Sequence, residues 1–467
     1  MKKRLWLLWV LGALFLFAIA GVIAFEKLRW KEVDIELDAN YHELFSDEYM
    51  EKKGHITELA EYVTDVSIGY QNADGTKTLY VYASPIRFLN SSGQYSLIDT
   101  RLANVRDKKM REAGYIYTIA NSDIKSFYPK EFDKDTGVLI QNDIQYEVGI
   151  SDKKDKLGWC KDISNFVSES KKAVEYYNCF DTETTISFYP SSLGSNCEIK
   201  IFEELENKRL SFWMKTDETL TLNKEPGGYL TLNKVVTDAE GKTSNEIKGV
   251  IQKPLLRTED GIVSYNCSIE VQPQGSGYYE LIFCLDDNVN LKNSSLFIAF
   301  EMRREKQPDN ALYSKIPNLE YAYLRNYSVI GNSNDYGIGR LMIRYKFAKF
   351  MNLEASQIKE AKYSVLSLDT KEKHLSLLSV LEDWCSLTGN WNDHYRIGEI
   401  TSTTKIQDNE IVFDITNEVK KWCEDPTGQM EHNGVLLKAV EEKEGVYYVI
   451  LSNDNSLYRN VTEVILN

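Results

Sequence analysis

The chain has no histidine pair at the H-E-x-x-H spacing, no serine in a G-x-S-x-G elbow and no two cysteines spaced as C-x-x-C. Those absences remove the signatures of helix-borne zinc hydrolases, of α/β-hydrolase nucleophiles and of zinc ribbons. The five histidines (His42, His55, His374, His394 and His432) are scattered, and the seven cysteines (Cys160, Cys179, Cys197, Cys267, Cys284, Cys385 and Cys423) occur singly. A lone-cysteine nucleophile needs a partnered histidine, and none is indicated. With 70 acidic side chains, paired carboxylates can be found anywhere and carry no information about catalysis. We therefore expect no enzyme. Positive charge is also short, 55 Lys and Arg for a net charge of −15. Neutralising phosphates needs a basic surface, so nucleic acid is not expected as a partner, nor an anionic membrane surface as the main target.

Proline is scarce, nine residues, whereas tyrosine (29) and phenylalanine (18) are plentiful, which fits β-rich globular domains rather than disorder. A chain of 467 residues is long enough for two to four domains with full cores. Lys2-Lys3-Arg4 precedes an apolar run from Leu5 to Phe25, 21 residues. A basic start and an apolar core mark an export segment, and Ala18-Ile19-Ala20 offers a cleavage site. The run also reaches the roughly 20 residues a bilayer requires, with Trp6, Trp9 and Trp30 placed for the interfaces. We favour an uncleaved anchor, with residues 5–25 in the cell membrane as a single pass and the bulk outside. The alternative is a secreted or wall-associated protein.

Residues 31–60 read as a stalk with short helical pieces. From Val63 short β-prone runs recur at roughly ten-residue spacing, punctuated by turn residues, the pattern of a sandwich or barrel. Asp74-Gly75 and Ser91-Ser92-Gly93 read as hairpin turns, and Asp135-Thr136-Gly137 as a further turn. Asp162–Tyr177 reads as helical or irregular. Arg303–Asn310 is charged, contains Pro308 and reads as a boundary. The expected architecture is all-β: a signal anchor or signal peptide over 1–30, a stalk over 31–60, β-rich modules over 61–160 and 161–305, and a C-terminal β-sandwich, jelly-roll-like, over 306–467. Asp286-Asp287-Asn288-Val289-Asn290 has oxygen atoms enough for a structural calcium ion. It lacks the full spacing of a calcium loop and reads first as a solvated turn. Outside the cell the cysteines could pair, with Cys385 and Cys423 the first pair to test; buried free thiols are the alternative.

The stretch Glu410–Val440 is the most informative. Glu410–Thr416 is strand-like, Thr416 is placed to cap a short helix, Val419 and Trp422 lie three apart on one face of it, and Asn433-Gly434 signals a turn before Val435–Val440. With Gly339–Tyr345, Ile358–Tyr363, Trp384, Trp391-Asn392 and Leu451-Ser452-Asn453 in order, this C-terminal region resembles the DNRLRE family, also treated as a carbohydrate-binding module family. Residues from about Val63 to Glu301 resemble the β-rich module that precedes such domains in wall-associated and Rhs-type proteins of Gram-positive bacteria. The resemblance implies a non-enzymatic surface protein whose partner is a polysaccharide or cell-wall glycan. A sugar site combines aromatic faces with a few oriented polar groups, which makes Tyr336, Arg340, Trp391, His394 and Tyr395 its candidates. For Trp384, Trp422 and Arg340 a packing role is the stronger expectation. The alternative function is a structural or protein-interaction component of an envelope assembly, with protein partners.

Overall fold

Side chains alternate between the faces of a strand with a period of two. In Arg209–Thr216 this puts Leu210, Phe212 and Met214 in the core, with Ser211, Trp213 and Lys215 on the other face. The same rule, repeated, makes this a protein of antiparallel sheets, none of them closed into a barrel. The structure, a computed structural model, describes residues 53–467 except 83–84, 152–160, 165–171, 178, 181–182, 206, 238–240, 260–262, 265, 303–308, 314–326, 335, 346, 349–350, 368–373, 385–390, 392–394, 401–403, 408–409 and 452–460. The expected anchor over 5–25 lies outside the described residues, and among those residues no helix is long and apolar enough to cross a membrane.

Two large sheets share the central core. One has eight strands and includes Asp99–Asn104, Lys125–Pro129, Gln145–Ile150, Arg209–Thr216 and Tyr278–Cys284. The other includes Lys172–Tyr177, Thr184–Ser191, Gly194–Ile201 and Ser294–Met302. Phe212 of the first sheet and Phe300 of the second face each other with ring centroids 6.4 Å apart, and Phe283 meets Phe212 edge-on at 5.3 Å. Hydroxyls pin the two sheets in register. Ser126 donates to the Gly194 carbonyl at 2.8 Å, and Tyr176 donates to the Pro129 carbonyl at 2.8 Å. Trp213 lies against Gly149, where a Cβ would come within 2.4 Å of the indole, so only glycine lets the ring settle there.

The second core is built by the two ends of the described chain. A seven-stranded sheet runs in the order His55–Glu58, Ser67–Asn72, Lys77–Tyr82, Val461–Leu466, Ile358–Leu366, Glu410–Asp414, Thr404–Gln407. It packs against a sheet that includes Gly337–Ile343, Leu375–Val380, Val435–Ala439, Tyr327–Ser333 and Tyr447–Leu451. Leu79, Val81, Val464, Tyr363 and Phe413 from one side, with Leu341, Ile343, Leu377 and Leu437 from the other, fill the space between. Of the α-helices described, α1 (Lys108–Glu112), α2 (Thr416–Glu424) and α3 (Gln429–Asn433), α2 has Val419 and Trp422 in this core. Trp422 packs on Tyr345, ring centroids 5.3 Å apart. Thr416 begins the helix one place later than a cap would; its hydroxyl donates to Asp414 at 2.7 Å.

The strand pairings redraw the expected domains. The strands Gln145–Ile150 and Arg209–Thr216 pair across the boundary drawn at 160, so the modules 61–160 and 161–305 share sheets from Asp99 to Met302. His55–Glu58, assigned to the stalk, is an edge strand, and Ser67–Tyr82 belongs with the C-terminal sandwich. The segment read as helical or irregular over Asp162–Tyr177 takes in most of the strand Lys161–Ser164 and all of the strand Lys172–Tyr177, which pair with each other. The hairpins at Asp74-Gly75 and Ser91–Gly93 form where expected, between Ser67–Asn72 and Lys77–Tyr82 and between Arg87–Leu89 and Tyr95–Leu97.

A fragment limited to 306–467 would leave the strand Val461–Leu466 unpaired along one edge and remove the buried Leu79 and Val81. At about 1.5–3 kcal/mol per buried aliphatic side chain, the loss from those two alone is a large part of a domain's typical 5–15 kcal/mol. The fragment is expected to show no cooperative thermal unfolding, and a version with residues 53–98 fused to it is expected to regain a transition, both read by calorimetry. A sharp transition in the short fragment would refute this assignment of strands.

Candidate functional site

The candidate site begins with a supporting loop. Asp425 ends α2, and its carboxylate accepts from Thr427 N at 2.9 Å, from the Thr427 hydroxyl at 2.7 Å and from Met430 N at 2.8 Å. The Met430 amide first, and the Thr427 groups with it, hold the carboxyl down at about 2 against the opposing effect of burial. That fixes α3, which props the platform above it. The Asn433 carbonyl accepts from Trp384 Nε1 at 2.9 Å, and His432 Nε2 accepts from Arg344 Nη1 at 2.8 Å. Glu431 is 2% exposed and receives the Phe347 amide and, at 2.8 Å, the Ala348 amide. Gly434 then turns with φ 70°, where a Cβ would meet the Ile343 carbonyl at 1.9 Å. Its freedom lets the chain enter Val435–Ala439 alongside Gly337–Ile343.

On the face turned away from the core, Met342, Leu436 and Leu378 occupy one rung of three neighbouring strands. With Val380 and Trp384 they form a small buried cluster, and the half-buried Trp391 and Tyr395 pack against it. The Arg344 guanidinium lies over the Trp384 ring, 4.0 Å from its centroid. One rung further, Arg340 reaches over Trp391 at 4.6 Å from the ring centroid. Glu442 grips the same guanidinium by two bonds, Nε to Oε1 and Nη2 to Oε2, each 2.8 Å. An arginine held by a bidentate carboxylate and stacked on an indole has both its position and its plane fixed.

Three expected site residues, Arg340, Trp391 and Tyr395, therefore share one face. Tyr336 does not: it is 5% exposed and belongs to the core between the sheets, so it is withdrawn from the site. His394 lies outside the described residues. Trp384 and Trp422 are buried, as the packing expectation required. Arg340 acts as packing and as part of the face together. Glu442 and Lys438 were missed. Their signal was a strand position two residues on from Leu436 and a following carboxylate, which acquires meaning only once strand partners are known.

The oxygen-rich run at 286–290 is filled by the protein itself. Asp286 accepts from the Ser264 hydroxyl, from Asn266 Nδ2 at 3.1 Å and from Asn288 N at 2.9 Å. Burial alone would raise its carboxyl, but these donors outweigh it and hold it below its ordinary range. Lys208 Nζ donates to the carbonyls of Asp287 and Val289 at 2.9 and 2.8 Å, an ammonium where a calcium ion would otherwise gather oxygens. Among the described residues no three His, Cys, Asp or Glu side chains converge as a metal site. Cys179, Cys197, Cys267, Cys284 and Cys423 are free thiols, and Cys385 lies outside the described residues. Burial pushes Cys179 and Cys267 up to about 12; burial, then Glu431 and Glu424, push Cys423 to about 11. None of these three is a thiolate at neutral pH.

No family model matches the chain, and no curated protein matches it. Among solved structures, the N-terminal domain of the Streptococcus gordonii adhesin Sgo0707 aligns with 84% of this chain and 86% of that one, at 8% sequence identity and a TM-score of 0.15. So loose a superposition assigns no shared fold.

Two outcomes follow from these loops. Asp425→Ala is expected to cost about 1 kcal/mol, as for a lost helix cap. Because the native carboxyl is held at about 2 against an ordinary 3.8, the stability it adds is complete above about pH 4 and is lost as pH falls towards 2. Asp425→Asn should therefore flatten the acid limb of a stability-against-pH curve, measured by urea unfolding; an unchanged slope would contradict the capping role. Lys208→Met is expected to cost about 1–3 kcal/mol by losing two charge-assisted bonds. Added calcium should leave the melting temperature of the unmutated chain where it is, and a rise of several degrees would restore the calcium reading.

Proposed function

We propose that this is a non-enzymatic surface protein whose C-terminal sandwich retains a carbohydrate on the face carrying Arg340, Trp391 and Tyr395. The observation that carries the reading is the half-buried Trp391, packed against the apolar cluster, with the guanidinium that Glu442 keeps in place 4.6 Å from its ring centroid. Sugar rings present C–H faces to aromatic rings and hydroxyls to fixed polar groups, so a rigid indole beside an oriented guanidinium suits them. The DNRLRE-like order of motifs, and the jelly-roll-like strand path it implies, agree with this reading. The basic start and apolar run of 5–25 support display outside the cell, by an anchor or after secretion.

A second reading, a protein-interaction part of an envelope assembly, is favoured by another feature. The two-stranded hairpin Arg87–Leu89 with Tyr95–Leu97 pairs Leu89 with Tyr95, and both are exposed, by 60% and 39%. Among the described residues this hairpin joins no larger sheet, and an apolar pair so exposed is more typical of a contact surface than of solvent.

Retention of the full chain on immobilised wall and capsule polysaccharides tests the first reading. Trp391→Ala is expected to lower retention at least about tenfold, and Tyr395→Ala by a smaller factor, with the melting temperature preserved within a few degrees. Equal retention by all three chains would end the site assignment. Loss of membrane-protein capture by Leu89→Ser with Tyr95→Ser, and no effect of Trp391→Ala on anything measured, would favour the second reading.

A further inference from the structure

The charges around Trp391 narrow the class of sugar. Arginine beside an aromatic ring often signals a carboxylate or phosphate ligand, because the planar fork matches two oxygens. Here the fork is already taken: Nε and Nη2 of Arg340 both bind Glu442, at 2.8 Å each. Lys438 Nζ stands 3.9 Å from the same carboxylate, and Lys443 is paired with Glu441 at 2.9 Å. Arg340 and the segment Lys438–Glu444 thus hold three cations (Arg340, Lys438, Lys443) and three carboxylates (Glu441, Glu442, Glu444). The Arg340 and Glu442 side chains are only 29% and 15% exposed, so water screens their mutual attraction incompletely and a ligand anion would have to compete with it. Beyond the site the whole chain carries −15, which repels polyanions at long range.

Resting on the proposed carbohydrate reading, we infer that the ligand is an uncharged polysaccharide, and that uronate- and phosphate-bearing wall polymers are excluded. Arg340 offers a flat, neutralised surface and its remaining N–H groups to hydroxyls. Glu442 is a specificity residue: it occupies the arginine and so rejects acidic sugars. Rejection by an element already in place is a common route to selectivity, since it acts on the wrong ligand without weakening the right one.

The test measures retention of the full chain on neutral polymers (dextran, galactan, cellulose), on polyuronates (polygalacturonate, alginate) and on poly(glycerol phosphate), at about 50 and about 200 mM salt. The expected result is retention on at least one neutral polymer, at least about tenfold weaker retention on every polyanion, and less than about a twofold change with salt. Glu442→Gln frees the Arg340 charge, and the ratio of polyuronate to neutral retention is expected to rise about tenfold. Stronger binding of a polyuronate or a phosphate polymer by the unmutated chain, falling with salt, would overturn the exclusion and leave carbohydrate binding standing. Retention on none of the polymers would overturn both. If Glu442→Gln unfolds, the salt response of the unmutated chain decides alone.

Discussion

The strand Lys77–Tyr82 pairs with Val461–Leu466 along six residues, from Lys77 with Leu466 to Tyr82 with Val461. The C-terminal sandwich depends on that ladder. Without it the sheet splits between Lys77–Tyr82 and Val461–Leu466, and Leu79 and Val81 lose the core they share with Val464 and Tyr363. Closing a flexible loop of about 380 residues costs about 5 kcal/mol by the random-chain estimate, before any constant. The intervening chain does not remain flexible. Its strands from Asp99 to Met302 form their own two sheets and their own core, which brings the ends of the insertion together and shortens the effective loop. On this argument the central sandwich folds before the outer one closes, because its contacts are nearer in sequence.

The two cores also touch. Leu255, which pairs through its strand with Phe297 of Ser294–Met302, belongs to the core of the outer sandwich, and Phe297 packs against that core from the side. The outward face of this central sheet is therefore not an ordinary solvated face. It carries buried acids satisfied by hydroxyls: Glu175 accepts from Tyr177 at 2.7 Å and Ser187 at 3.2 Å, and Glu198 from Tyr189 at 3.1 Å. Buried carboxylates need such partners. Their presence explains why Lys172–Tyr177 looks helical or irregular in sequence: a glutamate beside tyrosines does not resemble a strand with one wet face, and here Glu175 is buried along with Val174 and Tyr176.

What was legible in the sequence was local. Asp74-Gly75, Ser91–Gly93 and Asn433-Gly434 encode turns in the residues themselves, and Val419 with Trp422 encodes a buried helix face in its spacing. Antiparallel pairing between distant segments is written in no local pattern, so the boundary expected at 160 cuts through a sheet, and Ser67–Tyr82 reads from sequence as part of the module that follows it in the chain. The site was legible to the same extent. Trp391 and Tyr395 stand in a polar stretch and turn outward, whereas Tyr336, set in an equally polar Asn-Ser-Asn-Asp-Tyr-Gly run, turns inward because the strand that follows places it over the core. Lys208 could not be recognised as the partner of the 286–290 loop, since nearly 80 residues separate them and only the folded chain brings them together.

The arrangement at Arg340 shows how an ion pair can matter without contributing much stability. A surface pair is worth roughly 0–1 kcal/mol, and a half-buried one returns part of its attraction as desolvation. Little of the sandwich's stability therefore rests on Glu442. Its effect is geometric: a bidentate carboxylate removes the freedom of a long side chain, so the guanidinium stays over one ring instead of sampling solvent. The indole beneath is in turn backed by Met342, Leu378 and Leu436, whose positions are set by the same strand register that places Arg340 and Lys438 side by side. One register thus fixes the apolar backing, the ring and the cation together. A slip of one residue in Val435–Ala439 would turn Leu436 and Lys438 into the core and Leu437 out to solvent, so the face exists only in the register that also closes the core.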